Sequence, residues 1–394
     1  MVTAGALALT SASGAPAREP AAPSSDKSAL TTRAALETSL YHDSDHVDVA
    51  TPTLSLGLAD PLAGWTAEAR YLVDAVSAAS VDIVSSASAR WKEVRQVGSL
   101  DVKYKPGDLA VEGSGGISRE PDYLAVSAGG SVALDLVDRN VTPLVGYSFG
   151  HDTAGRSGTP FSVFSRTLIR HGLRGGLTVV VNRATTVELV ADAVFERGDQ
   201  AKPYRYVPLF AAGSSGRVAP GASPDEVNEA RTSLRPAEEL PLARERYALS
   251  GRLAHRFPGA TLRLDERLYD DSWGLRASTS DVRLIVDAGP RAFVWPHARG
   301  HLQRGVGFWQ RAYEVAVGPG GGLGVPALRA GDRELGPLHS YTLGGGARLV
   351  LGRAARATWS LTAQADVVWT SYLDALYLTR RTAYFGALSV EAAR

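Results

Sequence analysis

Two acidic, histidine-bearing clusters in this 394-residue chain have the composition of chemical sites. H-D-S-D-H-V-D, from His42 to Asp48, packs imidazoles and carboxylates so closely that His42, Asp43, Asp45 and His46 could ligate a divalent cation. The same letters also spell a hydrated, Asp-rich turn. Asp270 and Asp271, with His151 and Asp152, are the residue types that activate water at a hydrolytic rim. That chemistry requires Asp270 or Asp271 within hydrogen-bonding reach of His151 or His42. An acyl hydrolase facing lipid would need Ser beside His, and His255 falls on an apolar face with no Ser plainly next to it. A displaced register or a periplasmic interface position accounts for His255 better. G-P-G-G-G-L-G, from Gly318 to Gly324, lacks the Lys-Ser/Thr of a phosphate loop and reads as an external loop. The chain has no cysteine, so disulfides, thiolate ligands and Cys nucleophiles are excluded. No enzyme activity and no cofactor are expected.

The more extensive chemistry lies in charged rows that alternate with apolar ones. Glu68 and Arg70 oppose Ala67, Ala69 and Tyr71. Glu188 and Asp192 oppose Val187, Leu189 and Ala191, and Arg244, Arg246 and Arg252 oppose Tyr247, Leu249 and Leu253. Arg263, Asp265 and Arg267 oppose Leu262, Leu264 and Leu268, with Glu266 breaking the apolar side. Asp101, Lys103, Asp135, Gln364 and Asp366 complete the set of candidate lumen residues. Opposed acidic and basic rows inside a channel set a transverse field that sorts small polar or zwitterionic solutes by charge and width. The same groups, paired into a closed network, would instead plug the bore.

The elements that must position these rows are long strands. From Thr358 to Thr370 the chain reads T-W-S-L-T-A-Q-A-D-V-V-W-T, one face oily and one wet. Trp359 and Trp369 share the oily face about 25 Å apart along a tilted strand, the height of an outer-membrane barrel's apolar band. Soluble sandwiches alternate too. Strands of about 10 to 13 residues, aromatics at strand ends and alternating short and long connections shift the reading to a barrel. Tyr104, Phe257 and Trp359 flank short turns, while Tyr41, Phe195, Tyr269 and Trp369 flank long loops, including Ser118 to Tyr123 and the 197–243 segment. That last segment is the candidate plug or lid. No apolar run is long enough for a spanning helix, and a net charge of +1 with interspersed signs recommends no nucleic-acid partner. The expectation is an all-β, transmembrane, antiparallel up-and-down barrel of about sixteen strands over 29–394. Residues 291–313 can be read as one strand or two. Residues 1–28 are expected to be a signal-peptide remnant or flexible leader.

Y-L-V-D-A-V-S-A-A-S-V-D (Tyr71 to Asp82), S-R-E-P-D-Y (Ser118 to Tyr123), R-N-V-T (Arg139 to Thr142), P-Y-R-Y-V (Pro203 to Val207), L-D-E-R-L-Y-D-D-S-W-G (Leu264 to Gly274), G-D-R-E-L (Gly331 to Leu335) and L-D-A-L-Y-L-T-R-R-T-A-Y-F-G (Leu373 to Gly386) occur in that order. Together they resemble the DUF3570 family. The resemblance implies an outer-membrane β-barrel of Gram-negative bacteria, in contact with outer-membrane lipid and the barrel-assembly machinery, and it supplies no catalytic residues. The chain departs from the common barrel pattern by ending V-E-A-A-R rather than in an aromatic. A passive or gated pore for small polar solutes is the expected function, with a non-conducting envelope scaffold, or a rim hydrolase, as alternatives.

Overall fold

The computed structural model describes residues 30–78, 91–317 and 323–394, so the leader 1–28 and most of the glycine run at 318–324 lie outside the described residues. Sixteen antiparallel strands close into a barrel. They are β1 (Thr31–Asp43), β2 (Val47–Asp60), β3 (Trp65–Ala78), β4 (Trp91–Tyr104), β5 (Leu109–Glu120), β6 (Tyr123–Leu134), β7 (Val141–Ala154), β8 (Arg166–Asn182), β9 (Thr185–Gly198), β10 (Ala243–Phe257), β11 (Ala260–Asp271), β12 (Arg276–Asp287), β13 (Ala292–Arg304), β14 (Leu338–Ala354), β15 (Ala357–Tyr372) and β16 (Arg380–Ala393). Each strand pairs with its sequence neighbour, and β1 pairs with β16 from Arg33↔Ala393 to Asp43↔Ala383, so no sheet edge is left open. The 291–313 stretch contributes one wall strand, β13.

A period of two puts alternate residues on opposite faces of this wall. Leu36, Leu40, Leu54, Leu56 and Leu58 form one parity and remain 44% to 59% exposed. This is the outer face, because apolar side chains in such numbers are stable only against lipid or another apolar surface. The intervening residues face the lumen. On β15, Trp359 and Trp369 point outward, while Ser360, Asp366 and Thr370 are buried on the inner side.

Connections at one end are turns of two to six residues. Phe257-Pro258-Gly259-Ala260 fits its type, with proline preset ahead of Gly259 at φ +81°. At the other end the lengths are uneven. β5 and β6 are joined by Pro121 and Asp122 alone, so the long loop expected at Ser118 to Tyr123 is a tight turn, its strand residues pairing up to Glu120↔Tyr123. Two connections are very long, 199–242 and 305–337. The hydrophobic core sits there rather than in the barrel. Phe210, Val218, Ala222, Val227 and Ala312 form one cluster, and Val207, Leu209, Tyr313 and Val315 another.

Candidate functional site: a charged lumen beneath a loop cap

The two long loops fold together into a cap. Leu209–Phe210 pairs in parallel with Tyr313–Glu314. Tyr313 is 1% exposed; its hydroxyl donates to the Phe308 carbonyl at 3.1 Å and accepts from the Ala330 N–H at 3.0 Å. A short helix, Pro224–Ala230, starts at a capping box in which Ser223 and Glu226 satisfy each other's backbone N–H, and it buries Val227 against Phe210. Glu314 accepts from the N–H groups of Gly213 and Ser215, and these bonds with the Ser215 hydroxyl hold its carboxyl down at about 2. Asp332 bridges the loops, 2.6 Å from Arg205 and 3.1 Å from Lys202. Burial alone would raise its pKa; the Arg205 and Lys202 charges outweigh burial and hold it well below the carboxylate range.

The cap is tied to five of the connections at the rim. Arg333 pairs with Asp45 between β1 and β2 at 2.5 Å. Tyr204 donates to Asp122 between β5 and β6 at 2.6 Å, and its oxygen accepts from Ser157 between β7 and β8. Gly307 N–H donates to Trp273 between β11 and β12 at 2.7 Å. Between β15 and β16, Gly221 N–H reaches the Ala375 carbonyl at 2.9 Å, and Arg311 pairs with Asp374. Tethers to connections so spread around the barrel place the cap over the loop-side end.

Below it the inner face of the wall is charged. Arg70 pairs with Glu68 at 2.8 Å, and Asp101 stands directly opposite Glu68 on β4. Asp192 accepts from Arg174 at 2.8 Å and lies 3.4 Å from Arg267. Arg252 bridges Glu188 at 3.0 Å and Asp265 at 2.5 Å, and Arg263 reaches Asp265 at 2.7 Å. Arg246 lies 3.1 Å from Glu196. Inside the wall Arg174 keeps 61% of its side-chain exposure and Arg267 48%; Asp101, Lys103 and Glu112 are also exposed. Arginines so exposed leave open space beside these pairs. The wall is closely packed around His297, which sits between Asp366 at 2.7 Å and Asp281 at 3.4 Å, with Gln364 donating to Asp366 at 2.7 Å.

Two residues grouped with the lumen have other positions. Asp135 follows β6 and clamps the turn-side end, accepting from Lys105 at 2.5 Å and Thr142 at 2.8 Å, which lowers its pKa. Arg244 is at the rim, 2.5 Å from Asp271 and stacked 4.2 Å from the Trp273 ring, beneath the cap. Of the strand-end aromatics, Tyr104, Phe195, Phe257, Trp359 and Trp369 lie on the outer parity, with Phe195 edge-on to Tyr247 at 6.3 Å. Tyr41 and Tyr269 do not join them; they point inward and donate to Asp43 at 2.8 Å and Asp271 at 2.9 Å.

These tyrosines expose a repeat the metal reading missed. Tyr41-His42-Asp43-Ser44-Asp45-His46-Val47 and Tyr269-Asp270-Asp271-Ser272-Trp273-Gly274-Leu275 build the same turn. Asp43 accepts from the N–H groups of residues 45 and 47 at 2.9 and 3.0 Å, and Asp271 from those of 273 and 275 at the same distances. His46 (φ +60°) and Gly274 (φ +85°) hold the equivalent left-handed position. His42 points outward to Asp48 at 2.7 Å, while Asp43 faces inward and Asp45 binds Arg333. The four proposed ligands are therefore divided between the faces. Among the described residues the acids that do converge, within 4.8 Å, are Glu93, Glu120 and Asp122.

The hydrolase pairs are separated as well. Asp270 binds Arg276 and Asp271 binds Arg244, whereas His151 is four strands away on β7, about 19 Å around the wall. His255 faces outward near the turns, 2.8 Å from the Thr185 hydroxyl and edge-on to Phe257. Glu266 also faces outward and accepts from Ser278 at 2.7 Å and from Ser280, both on β12.

A closed wall, apolar outside and charged inside, defines a β-barrel of the outer-membrane type. The chain belongs to the family described as "Protein of unknown function (DUF3570)", whose profile matches residues 83–360. No curated protein matches it in sequence. Among solved structures it is similar to the siderophore receptor PirA from Pseudomonas aeruginosa (14% identity, TM-score 0.39), over 86% of this chain and 56% of the receptor. The chain thus spans little more than half of that receptor's length. A bacterial polysaccharide outer membrane secretin (10% identity, TM-score 0.43) is covered over 97% of its length by 92% of this chain. Pseudomonas aeruginosa OprD (7% identity, TM-score 0.42) is covered over 95% by 92% of this chain.

Proposed function

We propose that this protein is an outer-membrane barrel forming a gated conduit for small polar solutes, with the loop cap as its gate. The observation that carries this reading is a wetted, mixed-charge lumen, exemplified by Arg174 at 61% exposure, beneath an ordered cap tethered around the rim. Uniformly short turns at one end, and at the other uneven connections that include two very long loops, resemble the periplasmic and extracellular ends of bacterial outer-membrane barrels. The outer apolar parity supports contact with outer-membrane lipid and delivery by the barrel-assembly machinery. The buried Asp332 ion pairs favour a second reading, in which the cap stays shut and the barrel is a non-conducting scaffold of the envelope.

Planar-bilayer conductance of the refolded protein, with and without Gln200–Leu242, separates the readings. A gated conduit gives brief openings in the intact protein and steady conductance in the deletion. Silence from the intact protein with conduction by the deletion favours the scaffold, and silence from both sinks the pore.

A further inference from the structure

The loop-side outer wall of β12, β13 and β14 carries a basic notch of about 360 Å³ that the conduit does not use. Arg276, Arg304 and His339 line it together with Leu302 and Leu373, both more than half exposed. Arg276 and Arg304 are directly opposite each other across the β12–β13 ladder. Like charges so placed repel and destabilise the pair unless an anion lies between them. Asp270 supplies a carboxylate 2.7 Å from Arg276, on the side away from Arg304. Arg304 is exposed, and among the described residues no acidic one lines the notch. His339 is two residues along from this pair, opposite Leu302, and the row continues through Ser371 to exposed Arg380.

Arg276 is eleven residues above the turn end of β12 at Asp287, about 28 Å along the barrel axis for a strand tilted roughly 40°. An apolar band is about 25 Å tall, so the notch opens at the level of lipid head groups with Leu302 just below it. Two guanidinium forks suit the oxygens of a phosphate, and the leucines suit the start of an acyl chain. We infer that this notch binds the phosphomonoester head group of an anionic lipid in the loop-side leaflet. The inference rests on the outer-membrane reading above.

Native mass spectrometry of the full chain released from phosphatidylcholine nanodiscs, with and without phosphatidic acid, tests it. Phosphatidic acid should be retained in preference to phosphatidylcholine. Arg276→Gln/Arg304→Gln should weaken that retention about tenfold, and Arg276→Lys/Arg304→Lys, which keeps the charge without the fork, should restore only part of it. Heat-dependent gel mobility establishes that each variant remains a folded barrel. Equal retention by the glutamine variant, or no preference in the wild type, overturns the inference while leaving the outer-membrane reading intact. Inorganic phosphate binding as tightly in lipid-neutral nanodiscs overturns the lipid assignment. Failure of the wild type to insert overturns both readings together.

Discussion

At Gly346 the absence of a side chain lets Trp295 turn into the wall: a Cβ there would fall within the indole, and one at Gly344 would fall on the Asp366 carboxylate. The Gly344-Gly345-Gly346 run is thus a seat for the packed patch around His297. Gly346→Ala should destabilise the barrel by about 1–3 kcal/mol, as overpacking does, measured by urea unfolding in vesicles. Asp332 works at the same scale through charge. Its depressed pKa means its stabilisation is present above the ordinary carboxylate value of 3.8 and is lost as pH falls through the lower folded value. Limited proteolysis of the cap should therefore be unchanged from neutral pH down to about 4 and should accelerate only in stronger acid.

At the scale of elements, the cap is a small folded unit held by its own apolar side chains. Phe210 and Leu209 are fully buried between two segments that are about 100 residues apart in sequence. Phe210→Ala should cost the cap about 3–5 kcal/mol while leaving the strands paired. Raised conductance or faster loop proteolysis, with unchanged heat-dependent gel mobility, would register that outcome. An unfolded barrel would show instead that cap and wall are one cooperative unit. The repeated Tyr-x-Asp-Ser turn serves the same assembly, since Asp45 reaches the cap by an ion pair and Trp273 by burial.

For the whole molecule, the central assignment is which parity meets lipid and which meets water. The cysteine-free chain makes this directly measurable. In bilayers, Arg174→Cys should react with a small water-soluble thiol reagent, while Leu173→Cys one residue earlier should stay protected. Equal labelling would refute the membrane-spanning wall. The charged pairs along β8 to β11 serve both proposed readings alike, because the two differ in what the cap does and not in the wall.

Periodicity alone determined the wall. A strand's two-residue repeat is a local property, so the parity of Trp359 and Trp369, the parity of the charged rows apart from Asp135 and Arg244, and the turn at Pro258-Gly259 follow from the sequence alone. Glu266 was legible as an exception, yet its reason was not, because Ser278 and Ser280 become its partners only through the β11–β12 register. His42 to His46 illustrates the opposite limit. Its letters match a metal site, and the turn geometry divides them between the two faces. Where the long loops settle depends on contacts such as Asp45 with Arg333 and Phe210 with Val227, made between segments with no shared period. Those contacts arise from packing across the closed barrel's mouth, which tertiary structure alone brings together.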